Sequence, residues 1–436
     1  MKSAPSSSEP RVSSKDREIL RSLAGRVREI AELPEQATRK RRLANHNALQ
    51  PERPIILAFP EGAWVELLPD SSMQCEDQTL RGWEKGLRQK IYWWDHLRDD
   101  NAIEPFFNIG WKIDPGNYGF NIAYEHGDNR GSYHWVAPIQ EIDADFDRLK
   151  PASFAVDREK TFADVALATD VFGDLLPARI RGSYFWTSGL TWEAIKLIGL
   201  ETLMFAPYDQ PEALHRLLGF LRDEHLRFLT WLESEKLLSD SNQDDYVGSG
   251  GVAYTDELSQ PGRNPGDSVR LMDRWGFAES QETVGISPEM FNEFILPYQL
   301  PLLAQFGLTC YGCCEGLHDR IDSILKVPNL RRVSVSPWCD QKIMADKLGR
   351  NYVFSRKPNP TQICLTFNEA AIRNDLATTL ALAGQGPLEI IMKDTATIQN
   401  EPWRISRWIQ IALEEVEKYV GHQQHNPPPA RPTSEK

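Results

Sequence analysis

Six short stretches of this chain set acids, thiols or fixed cations beside an apolar run. Pro60-Glu61-Gly62 follows PIILAF, and Glu279-Ser280-Gln281-Glu282 stands before the segment SPEMF. Tyr311-Gly312-Cys313-Cys314-Glu315 follows LTC, and Ser336-Pro337-Trp338-Cys339-Asp340 overlaps the end of RRVSVS. Ser355-Arg356-Lys357 follows NYVF, and Lys393-Asp394-Thr395 follows LEIIM. Glu61, Glu282 and Asp394 are candidates for moving a proton. Arg356, Lys357 and Lys393 suit a substrate carboxylate or phosphate, with Tyr311 and Gln281 as neutral partners. Cys313, Cys339 and Glu315 are candidate metal ligands, because Zn²⁺ takes S, N and O donors tetrahedrally. Each has a plainer reading as well. A strand-end cysteine is often a small core residue, and Lys393-Asp394 or Arg356-Lys357 can be an ion pair or a solvated loop. What carries weight is that all six fall where strands end.

Those strands must therefore be parallel neighbours. From Tyr246 onward, short apolar runs alternate with helical patterns: LTCYG, RRVSVS, NYVFS and LEIIMK against helices near 317–327, 340–348, 368–383 and 403–420. Fully apolar strands alternating with helices imply a parallel sheet covered on both faces. No glycine-rich phosphate fingerprint follows any strand, so the expected fold is a (β/α)₈ TIM barrel, with chemistry at the C-terminal strand ends. Ahead of it, Ser13 or Ser14 starts an N-terminal helical extension, and the aromatic, glycine-rich segment 104–139 predicts a β-hairpin insertion. One domain is expected over 13–422, with Ser/Pro-rich, disordered tails at 1–12 and 423–436. Consecutive parallel strands would also set Cys313 and Cys339 side by side, close enough to share one ion.

Composition narrows the partners. A net charge of −13 and a pI near 5.3 exclude a general nucleic-acid binder. No run of about 18 apolar residues predicts a membrane span. Six cysteines, three of them clustered at 310, 313 and 314, are not a disulfide framework, and a reducing cytoplasm is the expected compartment.

The stretch from SQETVGISPEMF to SVSPWCD, with FPEGAWVELLP, YVFSRKPNP and the Lys393-Asp394 strand end, resembles the uroporphyrinogen decarboxylase-like superfamily over about residues 14–420. Within it the chain is most similar to the branch labelled corrinoid methyltransferase-like, or "trimethylamine corrinoid protein 2". The resemblance implies a (β/α)₈ barrel and a methyl (small alkyl) transferase using a zinc-held thiolate. A small anionic substrate and a separate methyl-carrier protein are the implied partners. The family's His-x-Cys zinc element aligns with Tyr311-Gly312-Cys313, so its histidine is absent here. No Asp-x-His-x-x-Gly signature is present, so no corrinoid-binding domain is expected. The alternative is a metal-independent decarboxylase or lyase acting on a small carboxylated substrate. The tails suit a specialised biosynthetic pathway.

Overall fold

A computed structural model describes residues 12–126, 133–258, 264 and 266–425. Eight short strands carry the parallel sheet structure: β1 (Ile55–Ala58), β2 (Phe107–Ile109), β3 (Ala178–Ile180), β4 (Trp275–Ala278), β5 (Leu308–Tyr311), β6 (Leu330–Val335), β7 (Val353–Arg356) and β8 (Leu388–Met392). Six of them form one parallel sheet in the order β1-β8-β7-β6-β5-β4, and β2 pairs in parallel with β3. The arc follows chain order, as right-handed β-α-β crossovers require. The α/β fold with a parallel sheet is present, and a complete (β/α)₈ barrel is not shown: among the described residues no ladder joins β1 to β2 or β3 to β4.

Side chains take the place of the missing ladder. Asp100 accepts the Ile56 N–H at 2.9 Å, and Asp99 accepts the Ala58 N–H at 2.8 Å, so two carboxylates satisfy the free edge of β1. Such an edge needs no partner strand. At the other end of the arc the Ser188 N–H donates to Phe277 O at 2.7 Å, where a ladder to β3 would begin.

Ser13 caps the first helix, α1 (Ser14–Ala31), by accepting the Asp16 N–H. A second helix, α2 (Pro34–Asn47), packs under the sheet, where Asn47 donates to Val252 O and Tyr254 O. The predicted hairpin is present as Tyr124–His126 paired antiparallel with Tyr133–Trp135. Three helices run from 191 to 234: Thr191–Ile198, Leu200–Asp209 and Pro211–Ser234. The helix expected near 317–327 is confined to Ile321–Ile324. Beyond it lie α3 (Gln341–Leu348), α4 (Glu369–Ala383) and α5 (Trp403–His425). Most of the expected tails lies outside the described residues. Val12 packs on the cluster around Leu20, and α5 runs on to His425.

YVGSGGVAY, expected to open the regular β/α alternation, is instead a hairpin, Tyr246–Val247 with Gly251–Val252, inserted within the arc. Val247 packs with Phe277 and Cys310, and Val252 with Leu57 and Ile391. The turn uses Gly248 and Gly250 at φ +67° and +94°. A Cβ at Gly251 would lie 2.5 Å from the Arg332 guanidinium, so only glycine fits there.

The buried His46 and the half-buried His225 are both held toward the neutral ring. Burial pushes His46 and His225 down to about 4, so His46, 3.7 Å from Glu389, makes no ion pair at neutral pH. Both titrate lower in the fold than in the unfolded chain, where the value is near 6.5. Their contribution to stability is present above pH 6.5 and is lost as the pH falls toward 4. His225→Phe keeps the edge-on contact with Phe185 and loses the hydrogen bond to Ser188, about 1 kcal/mol at pH 7. Denaturant titrations at pH 7, 6 and 5 should then show a shallower acid loss for the variant than for wild type. An unchanged slope would show that His225 is not the titrating group.

Candidate active site

β1 and β8 are paired with Ala58 opposite Met392, so the residues that follow them lie side by side. The Glu61 carboxylate accepts the Asp394 N–H at 2.7 Å, and Asp394 Oδ1 lies 2.5 Å from Lys393 Nζ. Both acids sit at positive φ, +46° for Glu61 and +56° for Asp394, a strain that persists where a side chain must be held in one place. Gly312, at φ +93°, turns the chain after β5, and Cys313 enters the interior cluster with Phe277 and Cys310. Its sulfur receives the Ser249 hydroxyl at 3.4 Å and lies 3.5 Å from Cys314 Sγ. Cys314 Sγ also lies 3.6 Å from Asp394 Oδ2.

The charges in this group are interdependent. The hydrogen bond from Cys314 draws the Cys313 thiol below the usual cysteine range, helped by Lys393 and Ser249 and opposed by burial. Burial works against the Lys393 ammonium, but Cys313, Asp394 and Glu61 outweigh it and hold its pKa up. Burial raises Glu61, against the pull of Lys393. The Tyr246 phenol, raised by burial, lies within the field of Lys393, Glu61, Cys313 and Asp394. Phe59 meets Tyr246 and Trp93 edge-on at 5.3 and 5.4 Å between ring centres.

A second group of acids binds loops together. Glu315 accepts the Ser280 N–H and the Cys313 N–H, both at 2.9 Å. Glu282 accepts from the Thr191 hydroxyl at 2.7 Å and from the Gln281 side-chain amide at 3.1 Å. Glu279, pushed well up by burial and then by Glu282 and Glu315, accepts the Gln281 N–H at 3.0 Å. Tyr311 donates to Gln299 at 2.6 Å inside the helix-covered layer.

The strand alternation of β7 separates the expected cation pair. Ser355 and Lys357 point inward, where Lys357 Nζ donates to Ser355 O at 3.0 Å and to the Ser355 hydroxyl. Burial pushes Lys357 down to about 8, against the pull of Glu389. Arg356 points outward to Asp375 on α4 at 3.3 Å and to the carbonyls of Val335 and Lys357. It does not reach the Lys393 group.

The thiols expected to share zinc are separated too. Cys339 belongs to the outer layer with Val335 and Leu317, and its sulfur accepts the Leu317 N–H at 3.3 Å. Cys313 belongs to the interior, and Glu315 has both oxygens on backbone amides. Among the described residues no three His, Cys, Asp or Glu side chains are grouped to hold a metal ion. These donors do not fit the expected centre.

The structure thus brings Glu61, Cys313, Lys393 and Asp394 together, sets Glu315 against the Cys313 backbone, and places Glu282, Gln281, Tyr311, Arg356, Lys357 and Cys339 elsewhere. It adds Tyr246 and Ser249 from the hairpin, and Cys314. The glycines flanking Ser249 were the signal in the sequence for a backbone passing close to the sheet.

Neither a family model nor a curated protein matches the chain. Among solved structures, a methyltransferase from Methanosarcina mazei is similar at 10% sequence identity and a TM-score of 0.49, covering 88% of this chain and 99% of that one. At those values the likeness carries no argument about activity. No described helix is long and apolar enough to cross a membrane.

Two outcomes follow from these placements. Iodoacetamide should label Cys313 with a pH midpoint below the ordinary thiol value of about 8.5, and Lys393→Met should move that midpoint upward. An ordinary midpoint unaffected by Lys393 would mean that the ammonium does not act on the sulfur. Arg356→Ala should cost about 2 kcal/mol of stability by stripping hydrogen bonds from a charged group, and leave the Cys313 labelling profile unchanged.

Proposed function

We propose that this chain is an enzyme that takes a methyl (small alkyl) group from a small cationic donor, with the Cys313 thiolate as the nucleophile. The observation that carries the reading is the charge pattern around Cys313. A thiol drawn below its usual range lies beside Lys393, whose ammonium is already matched by Asp394 and Glu61. The half-exposed Asp394 and the exposed Glu61 then favour a cation over the anion expected at first. The rings of Phe59 and Tyr246 offer the π-rich surface that suits an onium group.

In the step itself, Cys313 Sγ attacks the donor's methyl carbon. The sulfur–carbon bond forms as the carbon–nitrogen or carbon–sulfur bond breaks, and the donor leaves as a neutral amine or thioether with the bonding pair. Ser249 and Cys314 orient the sulfur, and Lys393 favours its thiolate. Regenerating Cys313 requires a second acceptor, and the sequence resemblance makes a separate methyl-carrier protein the partner for that role.

The raised Glu61 carboxyl beside Lys393 favours a second reading, a metal-independent lyase in which Glu61 supplies a proton to a decarboxylated carbon. The two diverge in one experiment. Incubation with tetramethylammonium or trimethylsulfonium, followed by peptide mass spectrometry, should show one methyl group gained on the Cys313 peptide. Cys313→Ser should abolish the gain, and Glu61→Gln should slow it about tenfold, the effect of roughly 1.4 kcal/mol lost from the transition state. No gain with either donor would overturn methyl transfer, and release of carbon dioxide from small carboxylic acids would establish the lyase.

A further inference from the structure

Between β3 and β4, where the sheet is open, lies a cavity of about 260 Å³. Asn108, Arg181, Ser183, Asp244, Tyr246 and Arg274 are among the residues around it. Tyr246 also belongs to the Cys313 group, so the cavity adjoins the candidate active site. Its two arginines are in opposite situations. Arg181 is matched by Asp245 through Nε at 2.8 Å and Nη2 at 2.5 Å. Arg274 is 5% exposed, and its Nη1 donates to Ser239 O. Its Nε is buried and makes no hydrogen bond, and among the described residues no carboxylate lies within 4.0 Å of its guanidinium. Burial pulls its pKa down, opposed only by more distant acids such as Asp245.

A buried cation without a counter-ion costs several kcal/mol, and a protein keeps one where a ligand supplies the missing charge. The unused Nε side of Arg274 has the fork geometry that a carboxylate fills with paired hydrogen bonds. Ser183 stands exposed at the cavity wall, its hydroxyl donating to Phe185 O at 3.0 Å. Asp244, an acid on the same wall, is raised by burial against the pull of Lys90.

We infer that Arg274 anchors a carboxylate-binding subsite in the opening between β3 and β4, one that receives a small carboxylate. The subsite stands apart from the function proposed above, because Arg274 precedes its strand whereas the Cys313 group follows the strand ends.

Titration calorimetry of the full chain with acetate and propionate, against acetamide and propionamide, tests the subsite. The acids should bind and the amides should not. Arg274→Lys, which keeps a charge and loses the fork, should weaken acid binding about tenfold. Ser183→Phe, at an exposed cavity wall, should abolish it, and this variant decides the matter if Arg274→Lys fails to fold. Cys313→Ser should bind the acids as wild type does. Equal binding of acids and amides, or acid binding untouched by Ser183→Phe, overturns the subsite. Acid binding without methyl gain at Cys313 leaves the subsite standing and removes only the methyl-transfer reading.

Discussion

Inside the arc of strands, Arg332 on β6 and Glu389 on β8 meet with Nε and Oε1 2.9 Å apart, each side chain 2% exposed. Two charges taken this far from water are costly, and they are tolerated only where the remaining hydrogen bonds are made. Here most of them are. Arg332 also donates to Asn47 and Val252 O, and Glu389 accepts from Ser355, which in turn receives Lys357. The pair thereby ties three neighbouring strands to α2 and to the inserted hairpin. Removing one partner would leave the other charge buried alone, a penalty of about 3–5 kcal/mol.

The candidate active site is built above this floor by the two-residue period of the strands. Glu389, Ile391 and Lys393 follow one another along the inner face of β8, and Cys310 and Cys313 lie above the same pair on the β5 side. Lys393 reaches the opening as an ammonium because acids and a thiol gather around it, whereas Lys357, lower down beside Arg332, is driven toward its neutral form. The same side chain thus has opposite tendencies at two depths of one interior: burial prevails at Lys357, and the surrounding acids and thiol prevail at Lys393.

Much of the second half of the chain could be read in advance because its strands are uniformly apolar and bounded by turns, a pattern with one physical solution. β4 was harder to read. WGFA is short, follows two charged residues and contains Gly276, where the Phe306 ring leaves no room for a side chain. The open sheet could not be read at all. Carboxylates capping a strand edge, as Asp99 and Asp100 do, have no period to detect. Among the site residues, Glu61, Cys313, Lys393 and Asp394 were legible as strand-end chemistry. Arg356 and Cys339 satisfied the same rule, yet alternation turns Arg356 into the helix layer and packing on Leu317 takes Cys339 there. Arg274 stands at the wrong end of its strand for that rule.

The hairpin at 246–252 has a consequence for how this molecule can change. In a sheet that fills its own interior, altering the shape of that interior means altering the strands, with the whole wall at risk. Here part of the filling is a separate hairpin carrying Tyr246 and Ser249, held by Arg332 and Asn47 and ringed by residues it does not pair with in a ladder. Substrate preference can therefore drift through the sequence of one loop while the load on the wall stays the same.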